Sequence, residues 1–165
     1  MSVHAVASDT IEQAIMRNCV QLIEALTPTV QPSKPFKQLE YLTARERLIK
    51  TSTFRHFFAT WADALTVEPD TCDSQFIMRR ELDIEVAYNV PNGKPAGDIQ
   101  SLIQSDASQI AIELQKLHAQ SDITGTNGFM TERRQIPGAM SVVPFEADRM
   151  VSLMLSFSIV HSVNV

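Results

Sequence analysis

Little in this sequence invites chemistry. It holds two cysteines, Cys19 and Cys72, and five glycines among 165 residues. Two cysteines so far apart do not make a disulfide framework, and Cys19 falls at an apolar helical position where a buried thiol is the simplest reading. Glycine-rich phosphate loops are missing: neither GxxxxGK followed by Ser or Thr nor GxGxxG occurs. Basic charge is scarce as well. Fourteen Lys and Arg face nineteen Asp and Glu, a formal net charge of −5, so the basic stripe of a nucleic-acid-binding module is not expected. No apolar run reaches the roughly 18 residues of a membrane-spanning helix, and residues 1–10 lack the basic and apolar regions of a signal peptide. These features predict one soluble domain, made in a cytoplasm that includes that of an infected host.

The four histidines, His4, His56, His118 and His161, share no metal-ligand spacing, and HExxH and CxxC are absent. No serine sits in a GxSxG setting. No catalytic residue, cofactor site or metal site is therefore assigned. Glu81, Asp83 and Glu85 could in principle do acid–base work, but a solvated strand face explains three acids at alternate positions better.

What is present is pattern. Asp9 and Glu12 have the spacing of a capping box, and Ile11, Ile15, Cys19, Leu22 and Leu26 then recur on one helical face. The pattern predicts a helix over 9–26 in a single domain of residues 1–165, with residues 1–8 flexible, followed by a proline-rich connection over 27–35. Residues 36–50 settle on neither period. The dense aromatics of residues 52–61 favour a strand, while the pair Phe57 and Phe58 also permits a buried helix. Over 75–90, Leu82, Ile84, Val86, Tyr88 and Val90 alternate with Glu81, Asp83, Glu85, Ala87 and Asn89, as a strand with one dry and one wet face does. Asp98 is the expected cap of a second helix, reaching about His118 on the stripe Ile99, Leu102, Ile103, Ile110, Leu114 and Leu117. A strand over 135–143 interrupted by Pro137 suits a sheet edge. Residues 150–165 alternate again, with Val151, Leu153, Leu155, Phe157, Ile159 and Val163 on one face and serines, Met150 and Met154 on the other. Helix, strands, helix, strands is the α+β order, with two main helices on one face of an antiparallel or mixed sheet. The two long alternating strands belong at its centre, or one of them meets the edge of a neighbouring molecule.

Three stretches together resemble the tail terminator and tail completion proteins of long-tailed bacteriophages. They are the amphipathic helix over 10–26, the block RRELDIEVAYNVPNGKPAGDIQSLIQSDASQIAIELQKL with its mid-helix Asp106, and the closing VVPFEADRMVSLMLSFSIVHSVNV, whose loop carries Glu146 and Asp148. The resemblance covers about residues 11–163 but not the bulky stretch 35–61. It implies a structural virion protein forming a homohexameric ring on the tail tube. Its partners would be the tail tube protein, a neck or head-completion (connector) protein, and a sheath protein where the tail contracts. Genomic DNA would pass through the lumen without specific binding, and no membrane is involved. A closed ring needs one patch to meet a different patch on the next subunit. The positions expected to supply subunit or tube contacts are Val90, Asn92, Lys94, Asp98, Arg133, Arg134, Val142, Glu146 and Asp148, around 90–98, 123–134 and an open edge near 141–144. The short basic clusters Arg79-Arg80 and Arg133-Arg134 read as solvated surface or as intersubunit ion-pair donors. Other readings of the same residues are another neck, head-completion or tube ring, a secretion-system or adaptor component, and a small ferredoxin-like ligand-binding domain or enzyme.

Overall fold

The computed structural model describes residues 3–39, 54–69, 75–89, 96–116, 129–131, 141–145 and 150–164. In chain order they form α1 (Val3–Ala25), β1 (Lys37–Gln38), β2 (Phe54–Pro69), β3 (Gln75–Asn89), α2 (Ala96–Lys116), β4 (Phe129–Thr131), β5 (Ser141–Phe145) and β6 (Met150–Asn164). The class is α+β, as the order of periodicities predicts.

The strands build one mixed sheet in the order β1-β2-β3-β6-β4, with β5 also paired to β6. Among the described strands only β1 runs parallel to its neighbour. The two alternating strands are central: β3 pairs antiparallel with β6 from Gln75↔Asn164 to Asn89↔Met150. β4 lies against residues 159–161 of β6 and β5 against residues 150–154, so both lie along the edge of β6 remote from β3.

Side chains on a strand alternate between faces, and here one face carries both helices. Ile15, Cys19 and Ile23 of α1 and Ile103, Ile110 and Leu114 of α2 share one buried core with Leu82, Ile84 and Val86 of β3 and Leu153, Leu155 and Phe157 of β6. Each such side chain contributes roughly 1.5–3 kcal/mol on burial. On the helix-free face Phe58 and Ala87 are buried, with Leu39 packed against them.

Several local expectations change. α1 begins at Val3, so Asp9 lies inside the helix and not at its start. Helix propagation costs little once a turn exists, and no glycine or proline stops the helix upstream. Likewise α2 begins at Ala96, which places Asp98 inside its first turn, not at the cap. The expected strand over 52–61 starts at Phe54 and runs on to Pro69. Its register shifts between Trp61↔Leu82 and Leu65↔Arg80. Residues 62–64 therefore stand opposite Glu81 alone, and this bulge breaks the period that would have revealed the second half of the strand. The edge strand occupies Ser141–Phe145, and the rest of the expected 135–143 segment lies outside the described residues.

Cys19 is 1% exposed, and burial pushes its thiol up to about 12. Burial also raises the Tyr88 hydroxyl well above its ordinary 10.0, reinforced by the Asp106 carboxylate beside it. In the folded chain both groups keep protons that the unfolded chain releases, so rising pH favours unfolding. Stability is fully present below about pH 9, the ordinary thiol value, and falls as the pH climbs toward 12. Urea midpoints measured upward from neutral pH are expected to show this decline, and Cys19→Ala to flatten it. Native labelling with iodoacetamide is expected to spare Cys19.

Candidate functional site

The most concentrated chemistry is a buried polar node at the start of β2, against the middle of α2. Arg55, the second residue of β2, is fully buried with φ of 56° at a register shift in the strand. That left-handed backbone is costly for a residue with a Cβ. It turns the guanidinium toward Asp106, at the middle of α2. Nε donates to Oδ2 at 2.7 Å and Nη2 to Oδ1 at 2.9 Å. The remaining N–H groups reach the proline-rich connection: Nη1 donates to the carbonyls of Gln31 and Lys34, both at 2.9 Å, and Nη2 to that of Val30. All five donors of the guanidinium are used. Tyr88 Oη donates to Asp106 Oδ2 at 2.9 Å. The guanidinium lies near the rings of Phe36 and Phe54, 5.5 and 5.3 Å from their centroids, and Phe54 meets Tyr88 edge-on.

Burial raises the Asp106 carboxyl above its ordinary range, against the lowering pull of Arg55 and of the Tyr88 hydroxyl. Perturbed groups of this kind can mark active sites. Here every donor points at a protein acceptor, and Arg55, Tyr88 and Asp106 are all 0% exposed, so the node offers substrate neither access nor a spare group. It fastens strand, helix and connection together. Asp106 had a sequence signal: it is the one acid inside the stripe Ile99, Ile103, Ile110, Leu114, where an unpaired charge would be expelled. Tyr88 sits at inward parity. Arg55 had none beyond its place among aromatics.

The expected contact residues are dispersed. Val90, Asn92, Lys94, Arg133, Arg134, Glu146 and Asp148 lie outside the described residues. Asp98 is in the first turn of α2, and Val142 is in β5, paired with Leu153, on the sheet edge where an open strand was expected. Arg80, one of the basic pair, is not a free surface charge: Nη1 meets Glu12 Oε2 at 2.8 Å, Nε donates to the carbonyl of Ala62 at 2.7 Å, and the guanidinium lies 5.8 Å from the Trp61 ring.

The acids of β3 also differ from a uniformly wet face. Glu85 is buried and accepts from Ser152 Oγ at 2.6 Å; Asp83 is half-buried and accepts from Ser156 Oγ at 2.6 Å; Glu81 is exposed. Their serine partners come from β6, so the pairing depends on register between strands far apart in sequence. The result is a row of carboxylates and hydroxyls down the helix-free face.

Among the described residues, apolar surface stays open in two neighbouring places on β2 and its surroundings. Past Arg80, the β2–β3 ribbon exposes Leu65, Val67 and Phe76 at 42%, 52% and 40%. Between α1, β1 and β2 lies a groove of about 510 Å³ with Met16, Val20 and Trp61 in its lining and Gln13, Arg17, Gln21, Glu24 and Gln38 around them. Among the described residues no group of three or more His, Cys, Asp or Glu is placed to hold a metal ion, and no helix is long and apolar enough to cross a membrane. No protein-family model and no curated protein matches the chain.

Replacing Arg55 by Met strips the node of its cation and leaves the Asp106 carboxylate and three carbonyls short of donors. The expected loss is about 3–5 kcal/mol, read from urea unfolding. In Arg55→Met with Asp106→Leu the buried charge is gone too, and the expected loss is smaller than the sum of the single variants.

Proposed function

We propose that this chain is a structural virion protein, a tail terminator. It forms a homohexameric ring that caps the tail tube of a long-tailed bacteriophage, ends tube polymerisation and gives the neck its docking face. The observation that carries this reading is the outer wall of the subunit: an exposed apolar strip on the β2–β3 ribbon and an apolar groove elsewhere on the same chain. Unlike patches on one subunit are what a closing head-to-tail ring requires. The fold supports it as well, since the central β3–β6 pair and the helix layer give a stiff wall on which loops can be presented.

In this ring one face meets the tail tube protein and the other the neck or head-completion protein, with a sheath protein alongside where the tail contracts. The exposed Glu81 of the helix-free face and the net charge of −5 suit a lumen through which DNA passes without sticking, because like charges repel phosphates. The alternative within the same class is a neck, head-completion or tube ring.

Native mass spectrometry and negative-stain imaging are expected to give finite six-copy rings. Open-ended tubes would move the assignment to a tube protein, and a monomer at every concentration would end it. The wild-type ring is expected to leave duplex DNA unbound at physiological salt. Glu81→Arg, repeated around the ring, is expected to create binding that weakens steeply as salt rises; a wild-type ring that binds DNA tightly would sink the lumen assignment.

A further inference from the structure

β1 is two residues long, Lys37–Gln38, and it lies parallel along the outer edge of β2. The Leu39 N–H donates to the Phe57 carbonyl at 2.8 Å, and the Gln38 N–H to Glu24 Oε1 at 3.1 Å. Leu39 also packs on Phe58 and Ala87, a buried pair on the helix-free face. A pairing this short opens at little free-energy cost, so its place depends on the residue it lies against. Opposite Lys37 in the register stands His56.

His56 is half-buried on the helix-free face, where it pairs with Ala87 of β3. Its Nδ1 is shielded from solvent and has no hydrogen-bond partner. A neutral imidazole tolerates that, since its one proton can sit on Nε2 and leave Nδ1 a bare acceptor. The imidazolium does not. Both nitrogens then carry protons, and the one on Nδ1 becomes a buried donor facing no acceptor. The neighbouring charges add to the cost. Lys37 stands one strand spacing away on β1, about 5 Å. On β3 the acid of this face one step along is Glu85, opposite Phe58, and it accepts from Ser152 on the side away from β2. In the connection Lys34 turns to the Phe54 ring at 4.5 Å, and Arg55 is spent on Asp106. Burial and the Lys37 ammonium together hold the His56 ring below its ordinary value of 6.5.

We propose that β1 is an acid-released strap: a proton on His56 detaches Lys37–Leu39 from β2 and uncovers Phe58, Ala87 and the β2 edge at residues 56–57. Once β1 has left, the ring meets water and takes its proton at the ordinary value; with β1 docked it resists. Docking is therefore complete above about pH 6.5 and weakens as the pH falls below it. The release is bounded upstream. Phe36 is buried in the core, and Arg55 grips the carbonyls of Val30, Gln31 and Lys34, so the proline-rich connection stays in place. A bare strand edge beside apolar side chains is a template for pairing with another chain, and at neutral pH the strap keeps it closed. The strap belongs to the single chain and does not depend on the ring.

The test is amide hydrogen exchange on the full chain, followed by NMR and corrected for the pH dependence of intrinsic exchange. Between about pH 7.5 and about pH 5 the protection of the Leu39 amide is expected to fall roughly tenfold. The midpoint is expected to match that of the His56 ring resonances, while Ile84 and Leu155 at the sheet centre keep their protection. His56→Gln, neutral throughout, is expected to hold Leu39 protected across the range, and Lys37→Gln to shrink the loss. Level protection in the wild type while His56 titrates overturns the inference. A loss that persists in His56→Gln overturns it too, and assigns the release to protonation of Glu24. Lys37 is exposed, so Lys37→Gln keeps the test usable should His56→Gln fail to fold; an undiminished loss in that variant likewise overturns the inference.

Discussion

One buried cation organises this molecule. Arg55 is held by five hydrogen bonds to a helix and to a connection 21–25 residues away in sequence, and it is fully buried. A guanidinium in that position is tolerable only if every donor is matched and a carboxylate answers its charge. Because it must be matched, the proline-rich connection cannot drift, α2 cannot rotate about its axis, and the start of β2 is fixed in a backbone conformation that a residue with a Cβ would otherwise avoid. Such a node contributes less to net stability than to uniqueness: an apolar substitute would permit several registers of helix on sheet, whereas a two-pronged ion pair permits one.

With that corner fixed, the rest follows from sheet geometry. β3 and β6 pair along their full length and divide the subunit into a dry side under the helices and a side of acids and hydroxyls. The dry side is longer than the helices that cover it. Beyond the Arg80–Glu12 pair its apolar residues meet solvent. An apolar strip left open beside a fully satisfied interior node is a surface that another molecule could cover, and the proposal of an assembly subunit rests on it.

Much of this was legible beforehand. The 3.6-residue stripes located both helices, and the strict alternation in 75–90 and 150–165 located the two central strands and the face each turns inward. Those signals survive because each residue's partners lie within the same element. Three features escaped. The second half of β2 was hidden by the bulge at residues 62–64, where the alternation slips. Glu85 reads as a wet-face acid until Ser152 is brought beside it from 67 residues away. Arg80 reads as half of a surface basic pair until α1 supplies Glu12, 68 residues away. The caps expected at Asp9 and Asp98 misled for a related reason. Capping spacing is a local preference, and the helices extend upstream through residues that propagate them equally well.

The sequence by itself determined the class of fold, the central strands, the inward faces and the buried thiol of Cys19, because periodicity is written residue by residue and burial follows it. Only the tertiary structure decided which charges are spent and which remain. Asp106, Glu12 and Glu85 are committed to partners far along the chain; Arg17 is exposed with no ion pair among the described residues, and Leu65, Val67 and Phe76 are left uncovered. Charge and apolar area reveal their availability only once every long-range partner has been placed, and that placement is a property of the folded chain alone.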